Sequence, residues 1–97
     1  MELTVNALII ESKDSVAVAV EPLQEGDTAV YKINGEARTT QIVVNVPIYH
    51  KFAVVEIKKG DEVYKYGETI GRATGDIRAG EHVHTHNVVS IRETIQN

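Results

Sequence analysis

The chain has 97 residues, 42% of them hydrophobic and 25% charged, no cysteine, no tryptophan and a formal charge of -4. A chain this long buries roughly 60–65% of its unfolded surface, which supports one modest core and leaves no room for a large catalytic cleft. Disulfides, thiolate zinc sites and thiol nucleophiles are excluded. The interspersed, mildly acidic charge argues against nucleic-acid binding. No apolar run reaches the length of a membrane span or signal-peptide core, and the expected setting is cytoplasmic.

In chain order, short β-branched runs stand at Ala7-Leu8-Ile9-Ile10, Val16-Ala17-Val18-Ala19-Val20, Ile42-Val43-Val44, Phe52-Ala53-Val54-Val55 and Val88-Val89. Gly, Pro, Asn, Asp or charged residues bound each run, and no long segment repeats with helical period. This pattern predicts an all-β fold of many short strands. Asn34-Gly35 predicts a type I′ hairpin turn. Pro47, which lacks an N–H, marks a strand edge or the start of a new strand.

Three stretches share one form: Pro22–Thr28, Glu56–Val63 and Asp76–Val83. Each has an aliphatic residue, two polar or small residues, Gly, an acid, then a strand. The Gly supplies a turn position with positive φ, and the aliphatic residue anchors the turn. The unequal spacing excludes a solenoid. These are corners of a convoluted sheet and carry no chemistry by themselves. The expected organisation is a single domain over 1–97, with a core over about 5–90 and a polar C-terminal tail at 91–97.

The segment His82-Val83-His84-Thr85-His86-Asn87 holds three of the four histidines. Read as a strand, it places His82, His84 and His86 on one face at intervals of about 6.5–7 Å. Two imidazoles at that spacing can converge on one metal ion; all three cannot without a bend or bulge. Metal ligation, proton transfer, binding of an anionic substrate and a plain solvated strand face all fit the pattern. Elsewhere, His50-Lys51 offers a cationic pocket for a carboxylate or an ordinary surface pair. Lys65 and Tyr66 precede Gly67 and could bind acid groups. Tyr64 and Tyr66, on one strand face, could equally pack as an aromatic patch. No Walker loop, dinucleotide fingerprint or nucleophile elbow is present.

The run from Lys65-Tyr66-Gly67 through Gly71-Arg72-Ala73-Thr74-Gly75-Asp76, continuing to Gly80-Glu81-His82-Val83-His84-Thr85-His86-Asn87, resembles the SAF-type N-terminal domain of the altronate/galactarate dehydratase family. That family includes the small subunit of sulfolactate sulfo-lyase. The resemblance begins near Asn6 and covers most of the chain. It implies a β-clip fold and a part in eliminating a small group, usually water, from a sugar acid. It implies a metal, Fe2+ or alternatively Mn2+, shared with a large catalytic subunit, and activity only with that subunit. The family's Gly-His-Lys segment falls on Tyr49-His50-Lys51, with Tyr in place of Gly. From the resemblance, His84 and His86 are expected as catalytic and metal-binding residues. His50, Lys51, Lys65, Tyr66, His82 and Asn87 are expected on the substrate side, with His82 and Asn87 as support. Isolated from its partner, such a chain would present a surface open to self-association. A noncatalytic SAF-like module binding carbohydrate or protein is the competing expectation, because the fold also serves such roles.

Overall fold

The structure is a computed structural model and describes residues 4–90. The polar tail expected at 91–97 lies outside the described residues. Among those residues there is no helix, and the strands in chain order are β1 (Ala7–Leu8), β2 (Val16–Ala19), β3 (Thr28–Ile33), β4 (Glu36–Gln41), β5 (Lys51–Ala53), β6 (Glu62–Lys65), β7 (Glu68–Ala73), β8 (His82–Val83) and β9 (Val88–Ser90). They form a four-stranded sheet in the order β1-β2-β5-β8, a two-stranded β3-β4 hairpin and a three-stranded β6-β7-β9 sheet, all antiparallel. Of the apolar runs, Ile42-Val43-Val44 is not a strand. Ile42 is buried and closes the first corner instead, its N–H donating to the Asp27 carbonyl and its own carbonyl accepting from Gly26 N–H.

The corners repeat at the level of single hydrogen bonds. In the three Gly-acid corners the acid accepts from the N–H just after the aliphatic anchor: Asp27 from Gln24 (2.8 Å), Asp61 from Lys58 (3.1 Å) and Glu81 from Arg78 (3.1 Å). Gly26, Gly60 and Gly80 hold φ of 95°, 89° and 87°. A fourth corner, Val46-Pro47-Ile48-Tyr49-His50, has the same shape and an aliphatic anchor in Val46 but neither the Gly nor the acid. His50 N–H donates to the Pro47 carbonyl as the acids do to theirs, and Tyr49 takes the glycine position at φ 69°. Pro47 therefore marks neither a strand edge nor a strand start. It lacks the N–H that the acid satisfies in the other corners, so position 50 is free to hold another side chain.

Corners pair through their anchors. Leu23 bridges Val46 around the β3-β4 hairpin, and Ile57 bridges Ile77 around the β6-β7 hairpin. The chain is thus two corresponding halves, each a corner, a hairpin and a second corner. Both hairpins turn on paired positive φ: Asn34-Gly35 at 53° and 80°, as the Asn-Gly pair predicts, and Tyr66-Gly67 at 57° and 78°. The core lies in two clusters. One packs Phe52, Ile42, Val46 and Leu23; the other packs Ile77, Val63, Val83 and Val16. Phe52 and Ala53 are neighbours in β5 yet belong to different clusters, as strand alternation requires.

Candidate functional site

The Val46–His50 corner and the end of β8 bring the four histidines together. His82 sits opposite Phe52 in the β5-β8 pair. The strand expected through His86 ends at Val83, and residues 84–87 form a turn. Asn87 makes that turn. Its Oδ1 accepts from His84 N–H (3.0 Å), and its Nδ2 donates to the His82 carbonyl (2.8 Å). Asn87 is buried, with both ends of its amide engaged in the loop.

The bend changes which histidines meet. His50 Nδ1 lies 2.9 Å from His82 Nε2. The His84 ring stacks on His50 at 4.8 Å between centroids. His50, His82 and His84 offer ring nitrogens that all lie within 4.8 Å of one another. His86 packs its ring 5.2 Å from His82 but is outside that trio. Imidazole nitrogens about 2.1 Å from one ion stand roughly 3–3.5 Å apart, so the His50–His82 pair is already at ligand spacing and modest ring rotation would bring in His84. Three imidazoles suit a first-row divalent ion. Burial, then His50, His86, His84 and Lys51, hold the His82 pKa below the usual histidine value. These effects favour the neutral ring, which is the form that ligates a metal.

Beside the trio lies a cavity of about 470 Å³, within the range of small-molecule sites. Lys51, Lys65 and His84 line it together with the apolar Val83, Ile70 and Val88, and among the described residues no carboxylate lines it. His84 thus belongs to both the cavity and the histidine trio. Burial, and then the Lys65 charge, push the Lys51 pKa below the ordinary lysine value. Two lysines side by side give the cavity a positive lining among the described residues.

Of the remaining expected residues, Tyr66 does not line the cavity. It occupies the β6-β7 turn, and Lys65 Nζ lies 4.8 Å from its ring centroid. Tyr64 and Tyr66 form no aromatic patch, because β6 ends at Lys65 and the Tyr64 hydroxyl bonds Glu62 at 2.7 Å. Two contributors, Asp14 and Ser15, left no signal in the sequence patterning, and Pro47 was read as a strand marker rather than as part of a corner. Asp14 accepts from the N–H groups of Tyr66 (3.0 Å) and Gly67 (2.8 Å), and Ser15 Oγ accepts from Tyr64 N–H (2.8 Å). A fourth corner could have been found by aligning Val46–His50 on the anchor alone.

Comparison with known proteins matches residues 5–91 to the altronate/galactarate dehydratase SAF domain. Altronate dehydratase of Escherichia coli is 44% identical over 78 residues, covering 80% of this chain and 15% of that protein. Altronate dehydratase of Bacillus subtilis is 32% identical over 87 residues, covering 90% of this chain and 17% of that protein. The (2R)-sulfolactate sulfo-lyase subunit alpha of Chromohalobacter salexigens is 34% identical over 93 residues, covering 93% of this chain and 99% of that subunit. The chain therefore spans less than a fifth of either altronate dehydratase and nearly the whole of the sulfo-lyase subunit.

Proposed function

The chain belongs to the altronate/galactarate dehydratase SAF-domain family, a β-clip fold, and from that membership we propose that it is the small subunit or N-terminal domain of a metal-dependent lyase acting on a sugar acid. The observation that carries this reading is His84, shared between a three-histidine cluster and a dilysine cavity. Eliminating water from a sugar acid removes the proton beside the carboxylate and expels the neighbouring hydroxyl. Lys51 and Lys65 offset the carboxylate charge in the cavity. His84, at the boundary, reaches the substrate from the cavity side and carries a proton at a ring nitrogen to the leaving oxygen. In the metal-free cluster a hydrogen bond between His50 Nδ1 and His82 Nε2 fixes the orientation of the ring stacked on them, and a bound metal would replace the shared proton. His50, His82 and His84 would hold the metal, Fe2+ or Mn2+, which when bound supplies Lewis-acid stabilisation of charge on substrate oxygens. His86, packed on His82, supports the cluster. The base that takes the carbon-bound proton is assigned to a large catalytic chain, as no carboxylate lines the cavity among the described residues.

A second reading is the alpha subunit of a sulfolactate sulfo-lyase, with sulfite as leaving group. It is favoured by the near-complete coverage of the Chromohalobacter salexigens subunit. Affinity capture of the tagged chain from its source cells, followed by assay of the eluate with ferrous iron against altronate, galactarate and (2R)-sulfolactate, tests both. The expected result is co-elution of a large chain with iron-dependent elimination from one of the three acids. Capture of no large chain together with no elimination would overturn the reading in favour of a noncatalytic binding module.

A further inference from the structure

The two cavity lysines come from different halves of the fold. Lys51 opens β5, and Lys65 ends β6 beside the Tyr66-Gly67 turn. One short segment touches both. Within β2, Val18 is the register partner of Lys51. Just before β2, Asp14 and Ser15 bracket Lys65. Ser15 N–H donates to the Tyr64 carbonyl (3.1 Å), and Ser15 Oγ accepts from Tyr64 N–H (2.8 Å). On the far side of Lys65, the Asp14 carboxylate accepts from Tyr66 and Gly67 N–H, and it also accepts from Glu11 N–H (3.1 Å) within its own loop. Asp14 is 4% exposed. Its hydrogen bonds hold Tyr66 at a positive φ that a residue with a Cβ otherwise avoids. The Tyr66 ring in turn lies under the Lys65 ammonium.

We propose that Asp14 and Ser15 are positioning residues that set the separation of the Lys51 and Lys65 ammonium groups, and so select acids carrying two anionic groups over acids carrying one. The inference rests on the reading of the cavity as the substrate site. Neither residue touches the cavity, and neither adds charge to it; they act through the backbone on each side of Lys65. A site whose two lysines are anchored at their backbones by one segment needs less reorganisation to bind a dianion, whereas a monoanion needs only one of them.

Calorimetric titration of the full chain with galactarate, a dianion, and with gluconate, a monoanion, tests this in wild type, D14N, K65A and the double variant. D14N is expected to weaken galactarate binding about tenfold while leaving gluconate within about twofold. The double variant is expected to bind galactarate no more weakly than K65A, because Asp14 acts through Lys65. Losses that multiply in the double variant, or equal losses for both acids in D14N, would overturn the inference. Galactarate affinity unchanged in K65A would instead overturn the cavity reading, and the positioning role with it. S15A, which removes a single acceptor, repeats the comparison should D14N not fold; a loss for galactarate alone supports the role, and an equal loss for both acids rejects it.

Discussion

The three Gly-acid corners predict a graded response to one substitution. Gly26, Gly60 and Gly80 all sit at positive φ, so an alanine at any of them costs about 1 kcal/mol in backbone strain. At Gly26 and Gly60 a new Cβ would meet nothing within 4 Å, so strain is the whole penalty. At Gly80 it would run into the Gln41 carbonyl oxygen and lie 3.3 Å from the Ile42 Cα, both backbone atoms that cannot step aside. Gly80 also accepts from Val43 N–H and donates to Ala53, tying the end of β4 to the root of β8. Relieving the clash means breaking those bonds, which adds about 2–3 kcal/mol to the strain. The expected totals are about 1 kcal/mol for G26A and G60A, and 3 kcal/mol or more for G80A, a large part of the stability of so small a domain. Urea denaturation of the three variants reads this directly, with midpoints compared at constant m-value. G80A should also lose divalent-metal binding while still folded, since His82 and His84 follow the displaced backbone. Equal losses in all three variants would refute the reasoning, because they would mean that Gly80 is required only for its φ.

Three further outcomes follow from particular groups. Burial alone would raise the Asp14 pKa, but hydrogen bonds from Gly67, Glu11, Tyr66 and Ile10 outweigh it and leave the value below the ordinary 3.8. Its stabilising contribution is therefore complete above pH 3.8 and is lost as pH falls through the lower folded value. D14N should be about 2 kcal/mol less stable than wild type at pH 7, and the gap should close in acid; a gap constant down to pH 2 in thermal scans would contradict this. K65A should raise the Lys51 pKa toward the ordinary 10.5 by removing the neighbouring charge, as followed by NMR titration of the side chain; an unmoved value would mean that burial alone depresses it. Y49G releases positive-φ strain of about 1 kcal/mol but adds unfolded-state freedom, and the ring it removes is 72% exposed, so stability should change by less than about 1 kcal/mol. A larger loss in denaturant titration would show that the ring is packed.

Much of the fold was legible because its punctuation is local. Gly followed by an acid, with an aliphatic residue three positions before the Gly, marked three corners correctly, and Asn34-Gly35 marked a hairpin. The fourth corner kept only its aliphatic anchor, Val46, because tyrosine and histidine replace the two residues that give such a corner away. Pro47 makes that replacement possible by removing the N–H that the acid would cap, an effect visible only once the four corners are superposed. The histidines were legible as a group but not in their arrangement. Strand alternation aligned His82, His84 and His86, whereas Asn87 folds the chain back after Val83 and the third member of the trio, His50, comes from 32 residues away. Asp14 was hidden for the same reason, as its turn partners lie 52 and 53 residues along the chain. Local patterning cannot register a contact that only the pairing of two halves creates.

The central claim is that the histidine trio and its cavity form part of a lyase active site. Turnover by the assembled enzyme, compared among wild type, H50A, H84A and H86A at matched assembly and circular dichroism, tests it most directly. H84A is expected to lower turnover at least a hundredfold, with H50A close behind and H86A the least affected. H84A turnover within about twofold of wild type in a fully assembled complex would contradict it.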